Sequence, residues 1–332
     1  MSSWFERLPK DVRVVRFDAA RRYFAKSDII LPVTRYLEID GCGAELLLAE
    51  GSNGFSVPVA DQEEAMARVH ARYYIHDFGL IREGRRAIDL RATKGSVIEN
   101  VQCLRQTDRA ISLEFCLRTK VEQVKAENPF GIGFYIGVGS WPGASGTRSQ
   151  SNHTVLDLCE VYCHERTSVG YFIDNSNGVV LDNCVSEGGP SEFSVFFTAA
   201  GERDADWREP DVARNPVVKQ FTVRNLHIEH PVRQANVYVN APAQCVVELD
   251  KVYFNTTHHV PIRYVHGQLV LRDIGWWRKG MRVQSRTTAP RIAMIQCHHM
   301  LDPGTSVVLF DPIGGTSDKV KTTHIKRRGA NW

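Results

Sequence analysis

No apolar run in this chain approaches the ~20 residues of a membrane span. Its opening, Met1 to Lys10, lacks the apolar core of a secretory leader. Synthesis in a cytoplasm, without export, is the expectation that follows. Surplus charge is also scarce: 41 Lys and Arg against 38 Asp and Glu leave +3 at pH 7. No basic stripe marks a nucleic-acid partner. The eight cysteines include no Cys-x-x-Cys pair, so the common zinc frameworks are missing, and neither metal nor cofactor is expected. Apolar segments are too short, and too often interrupted by Gly, Asn and Asp, for long helices. Composition is otherwise that of a globular domain, 43% hydrophobic and 24% charged.

What the chain has is a beat. Aliphatic residues recur at Ile39, Ile75, Ile98, Val121, Leu158, Leu181, Val223, Leu249, Leu271 and Met294, in steps of 36, 23, 23, 37, 23, 42, 26, 22 and 23. A second apolar slot follows three residues after each, from Cys42 and Phe78 to Ile274 and Cys297. Polar pairs such as Glu99-Asn100, Asp182-Asn183 and Arg224-Asn225 fill the gap. They read as tight corners, because Asn and Asp tolerate left-handed backbone. The apolar segments are β-branched and aliphatic, and an earlier strand precedes each by eight to eleven residues. Stacked coils of several strands without helices predict an all-β, single-domain parallel β-helix. About ten coils of ~23 residues at ~4.8 Å give a rod roughly 48 Å long. On this register Cys42, Cys184 and Cys297 share one inward column, and Cys103 and Cys163 another, as small core residues.

The period, the corners and the opening Asp28-Ile29-Ile30-Leu31-Pro32 followed by Tyr36 to Ala44 resemble the right-handed parallel β-helices of the pectate-lyase-like superfamily. Bacteriophage tailspike and tail-fibre proteins are the members it looks most like. The resemblance covers about residues 28–310. The residues at the ends read as an N-terminal cap or docking segment (1–27) and a basic tail (311–332), with Asp311-Pro312-Ile313-Gly314-Gly315 breaking the solenoid.

Three steps exceed the beat, and each surplus leaves from one corner. The first insertion spans Asp61 to His70 and looks helical, with Asp61 and Glu64 at capping-box spacing. The second runs from Gly139 to Asn152 and contains Trp141. The third runs from Ala199 to Lys219 and contains Asp204, Asp206 and Trp207. Loops on one edge of a rod would wall a groove whose floor is the neighbouring sheet. If Leu90, Leu113, Ile136, Ile173, Phe197, Val239, Val265 and Val283 point inward, Tyr135, Phe172, Phe196, Tyr238 and Tyr264 point outward. Beside that aromatic stripe runs a polar column of Arg91, Glu114, Gly137, Asp174, Thr198, Asn240 and His266. Aromatic faces next to hydrogen-bonding groups suit sugar rings; the stripe equally suits packing under its own loops or against a second copy.

Glycoside cleavage needs two carboxyl groups about 5–9.5 Å apart. Glu114 and Asp174, two coils apart in one column, stand roughly 9.6 Å apart at the backbone, with His266 a candidate base. The pattern of the pectin-cleaving members is not recognisable. The expectation is therefore a phage virion component (spike, fibre or capsid-decorating protein), forming a homotrimer with other virion proteins and binding cell-surface polysaccharide through the groove. A polysaccharide lyase or glycoside hydrolase is the alternative, and a purely structural cement protein the second.

Overall fold

A computed structural model describes residues 2–198 apart from 6, 10 and 20, residues 219–276 apart from 242–244, 256–261 and 267, and the backbone of four short strands beyond 276. The chain is a parallel β-helix. Val15, Ile39, Ile75, Ile98, Val121, Leu156, Leu181, Val223, Leu249, Leu271 and Met294 are register partners in successive coils, all paired in parallel. From Ile39 to Leu271 these residues are essentially inaccessible to solvent. Each such aliphatic side chain contributes roughly 1.5–3 kcal/mol by leaving water.

One member of the expected column is corrected. Leu156, not Leu158, stacks between Val121 and Leu181. Leu158 occupies the left-handed corner at φ 53° and is half exposed. The two leucines sit two residues apart, so strand alternation could not separate them. The corner is otherwise as read: Asp77, Asn100, Gln123, Asn183, Asn225, Lys251 and Asp273 all have φ between 48° and 56°. Cys42 also sits at a corner, at φ 49°, with its thiol on Asp40 Oδ1 rather than in the core; Ala44 is the buried residue of that coil. Cys163 leaves its expected column as well, since Cys103 aligns through Ala126 with Val161. Val161 fills that slot, and Cys159 takes the other inward column, next to Cys184 in the following coil. The seven described cysteines are free thiols.

The boundaries shift too. Strands Val14–Arg16 and Arg22–Ala25 already pair with Leu37–Asp40 and Glu45–Leu48, so coiling begins upstream of residue 28. Phe5 is buried against Phe17 and Phe55 and closes that end. Asp311–Pro312 pairs with Gln284–Ser285, which carries the ladder past the expected break.

The third strand of each coil belongs to an eleven-stranded sheet that includes Arg86–Lys94, Arg109–Leu117, Ile132–Gly137, Val169–Asp174, Ser191–Thr198 and Val232–Asn240. Two insertions rise beside it. In the first, helix Gln62–Arg68 starts at Asp61, whose Oδ1 accepts from Glu64 N at 2.8 Å, while Glu64 Oε2 accepts from Ala60 N at 2.6 Å. That is the expected box, its return bond shifted by one residue. The second insertion leans on this helix. Trp141 Nε1 donates to Gln62 Oε1 at 3.1 Å, and Gln62 N donates to Pro142 O at 3.2 Å. Val59, Ala65, Val69, Ala92, Phe115 and Trp141 form a small apolar cluster outside the main core. The third insertion lies outside the described residues, and with it Asp204, Asp206 and Trp207.

Candidate functional site

The outer face of the eleven-stranded sheet, beside the two packed insertions, carries a dense set of charged and aromatic side chains. Register brings Tyr135, Phe172, Phe196 and Tyr238 into one column across four coils. Their rings touch in sequence at 5.3, 5.2 and 4.7 Å. The fifth expected aromatic is displaced. A bulge after Val239 pairs Tyr238 with Arg263 and puts Tyr264 opposite Val239, while Asn240 still pairs with His266. The side chains of Tyr264 and His266 fall outside the described residues. Val265 and Val283 are therefore not the inward partners of Val239.

The stripe is no open platform. Tyr135, Phe196 and Tyr238 are buried, and Phe172 alone is partly accessible. Phe172, Phe196 and Tyr238 join Val169, Phe193 and Ala235 in a second apolar layer outside the sheet. Burial within the chain itself, one of the readings left open by the sequence, is what these rings show.

The polar column holds its expected register: Arg91 pairs with Glu114, Glu114 with Gly137, and Asp174 with Thr198 and on to Asn240. Its carboxylates are committed to neighbours. Glu114 is fully buried; it accepts from Arg109 at 2.9 Å, from Ser140 N at 3.0 Å and from Ser140 Oγ at 2.6 Å. Asp174 is buried and accepts from the Tyr135 hydroxyl at 2.8 Å. Arg109 lies over the Tyr135 ring, 3.6 Å from its centre. Beside them Asp89 is clamped between Arg86 and Arg91, both at 3.0 Å, and Arg86 reaches Asp108 at 2.6 Å. Three guanidinium groups thus interleave with four carboxylates, and pairing is what makes burying such charges tolerable.

Gly137 decides what the Glu114–Asp174 interval can do. It is the residue between them in the column, and a Cβ built there would stand 2.3 Å from the Tyr135 ring end and hydroxyl. The tyrosine therefore lies flat across the interval that an inverting pair would keep open for water and sugar. Side-chain absence at position 137 creates the room, and Tyr135 fills it.

Arg86, Asp108 and Arg109 were not singled out from sequence. Their only signal is register, since Arg86 and Arg109 pair three residues ahead of the Asp89–Ser112–Tyr135 column. Lys219 was read as the end of an insertion. It is wholly buried, and Nζ donates to Asn175 O at 2.8 Å and Gly146 O at 3.3 Å. Burial pushes its pKa down to about 8. His230, also missed, has Nε2 2.9 Å from Ser186 Oγ and 2.8 Å from Ser194 Oγ. The contacts resemble a nucleophile and its base, but all three residues are buried and Nδ1 points to the carbonyls of Gly189 and Pro231. Among the predicted binders, Trp141 is buried in the loop cluster, Asn240 is buried, and Arg91 is partly accessible while held by Asp89. Among the described residues here, Arg85 is exposed, and Arg91, Asp108, Arg109 and Phe172 are partly accessible.

No family model matches the chain, and no curated protein matches it in sequence. Solved structures do. The Streptococcus pneumoniae surface protein and adhesin PfbA superposes with a TM-score of 0.56 at 11% identity, over 90% of each chain. The catalytic domain of a GH87 α-1,3-glucanase in complex with nigerose gives 0.46 at 8% identity, over 92% of this chain and 64% of that domain. The first likeness establishes the fold.

Proposed function

We propose that this chain is a binding rod: a β-helical surface protein that holds polysaccharide along its loop-walled face without cleaving it. One observation carries the reading. Tyr135 occupies the interval between Glu114 and Asp174, and both carboxylates are tied to neighbours, so these two supply no acid and base around an open space. The accessible groups have the chemistry of sugar recognition instead: guanidinium and carboxylate edges for hydroxyl groups, and Phe172 for an apolar ring face. An adhesin's work of gripping a surface is of this kind, and so is that of a phage spike. In the virion form of this proposal three copies would assemble side by side, which sedimentation at micromolar concentration tests directly.

The function is tested by incubating the full chain with bacterial capsular and lipopolysaccharide glycans and following both retention and chain length. Retention without new reducing or unsaturated ends is expected, with Phe172→Ala weakening retention about tenfold, the scale of one lost aromatic anchor. Release of shorter oligosaccharides by the wild-type chain would overturn the proposal in favour of a lyase or hydrolase. Absence of retention for every glycan would leave a cement role.

A further inference from the structure

On a different face of the rod, the corner of the coils at Leu37–Asp40 and Tyr73–Glu83 gathers a second cluster. Asp40 and His76 are register partners in neighbouring coils. The left-handed backbone of Asp77, at φ 56°, turns its carboxylate back beside the imidazole. One ligating atom from each of Asp40, His76 and Asp77 lies within 4.8 Å of the other two. Glu38 approaches from the side, its Oε1 3.5 Å from His76 Nε2.

The imidazole is the second, independent observation. His76 is only 9% exposed and is stacked on Tyr74 at 4.1 Å. Its Nδ1 lies 2.9 Å from Asp77 Oδ2, yet its buried Nε2 makes no hydrogen bond. A buried polar atom left without a partner calls for an explanation. Ligand atoms bound tetrahedrally at 2.0–2.1 Å stand about 3.4 Å apart. The 3.5 Å between Nε2 and Glu38 Oε1 is close to that spacing. A carboxylate on Nδ1 also orients the ring as it does in many metal-ligating histidines.

We propose that Glu38, Asp40 and His76 bind one divalent transition-metal ion, with Nε2 as the nitrogen ligand and the two carboxylates beside it, while Asp77 on Nδ1 holds the ring in place. An imidazole among carboxylates suits Zn²⁺ or Mn²⁺ better than Ca²⁺, which takes oxygen ligands. The opposing cation is Arg16, whose Nε lies 3.0 Å from Asp40 Oδ2; its side chain is 68% exposed and free to swing into solvent. Asn100 donates to Asp77 Oδ1 at 2.6 Å, and Tyr74 donates to Glu99 Oε2 at 2.7 Å, so the next coil braces the cluster. An ion here would clip two coils together near the Phe5 end, where the ladder has few neighbours to share load.

Equilibrium dialysis of the metal-free full chain against ZnCl₂, MnCl₂ and CaCl₂ tests this, with thermal melts in parallel. One equivalent of Zn²⁺ or Mn²⁺, a higher melting temperature with the ion, and weak Ca²⁺ binding are expected. Asp77→Asn keeps a residue that tolerates the left-handed corner and should weaken binding at least tenfold. His76→Gln should abolish it. Binding unchanged in both variants would place the ion elsewhere, His258-His259 and His298-His299 being the obvious rivals, and would overturn the proposal. Co²⁺ gives a readout independent of any variant: no visible-region ligand-field band on adding it to the wild-type chain would refute the site directly.

Discussion

His230 is the residue whose surroundings make the sharpest demand on solution conditions. Burial pushes its pKa from 6.5 down to about 4. Between those values the unfolded chain holds a proton on this ring and the folded chain does not. Stability should therefore be complete above pH 6.5 and fall as pH drops toward 4, by about 3 kcal/mol from this residue. Denaturant melts at pH 7.5 and 4.5 measure the loss, and His230→Gln should remove most of it. Parallel pH profiles for the two proteins would refute the assignment. Nothing in the local sequence Ile228-Glu229-His230-Pro231 announces a buried imidazole. Its two serine partners lie 36 and 44 residues away in sequence, in the preceding coil. Glu114 and Asp174 were legible as members of one column because column membership follows from period alone. Their burial was not, because it depends on Arg109 and Tyr135 reaching sideways across the sheet.

Among the elements, the corners carry both the success and the error of reading by period. A left-handed residue between two inward slots is a backbone requirement that Asn and Asp meet cheaply, so Asn100, Asn183 and Asn225 stand out. Leu158 meets the same requirement with a side chain that mimics the core, and it hid the true slot at Leu156. Asn225 also donates to Asn183 Oδ1, and Asn183 to Asp157 Oδ1, both at 3.0 Å, which links three coils along the rod surface. Asn225→Gly keeps the backbone region and loses one exposed bond, so its cost should stay under ~1 kcal/mol. Asn225→Val puts a β-branched side chain at φ 51° and should cost about 1–3 kcal/mol. Equal melting temperatures for the two variants would show that this corner is not held left-handed in solution. The first two insertions leave from one corner as expected, because length surplus is visible in sequence. That the first two pack on each other through Gln62 and Trp141 was not, since the pairing spans 79 residues.

For the whole molecule the consequence of a common register is that coils are interchangeable in a way globular cores are not. Each coil meets mainly its two neighbours, so removing one complete turn should let the flanking turns meet in the old register. Residues 75–97 make such a turn: Ile75 pairs with both Ile39 and Ile98, and Tyr74 pairs with both Glu38 and Val97. Deleting all 23 would join Tyr74 to Ile98 and bring Ile98 over Ile39. The buried charges leave in matched fashion, because Arg86, Asp89 and Arg91 go together, while Asp108 is accessible enough to be solvated. Phe115 would take the place of Ala92 beneath the helix, both being left-handed corner residues. Deleting only 22, residues 76–97, moves every downstream side chain of the junction to the opposite face. The longer deletion should therefore retain β-sheet circular dichroism and a cooperative, lowered melt, and the shorter one should not fold. If both collapse alike, or if the shorter deletion melts as cooperatively as the longer, register is not what holds this rod together.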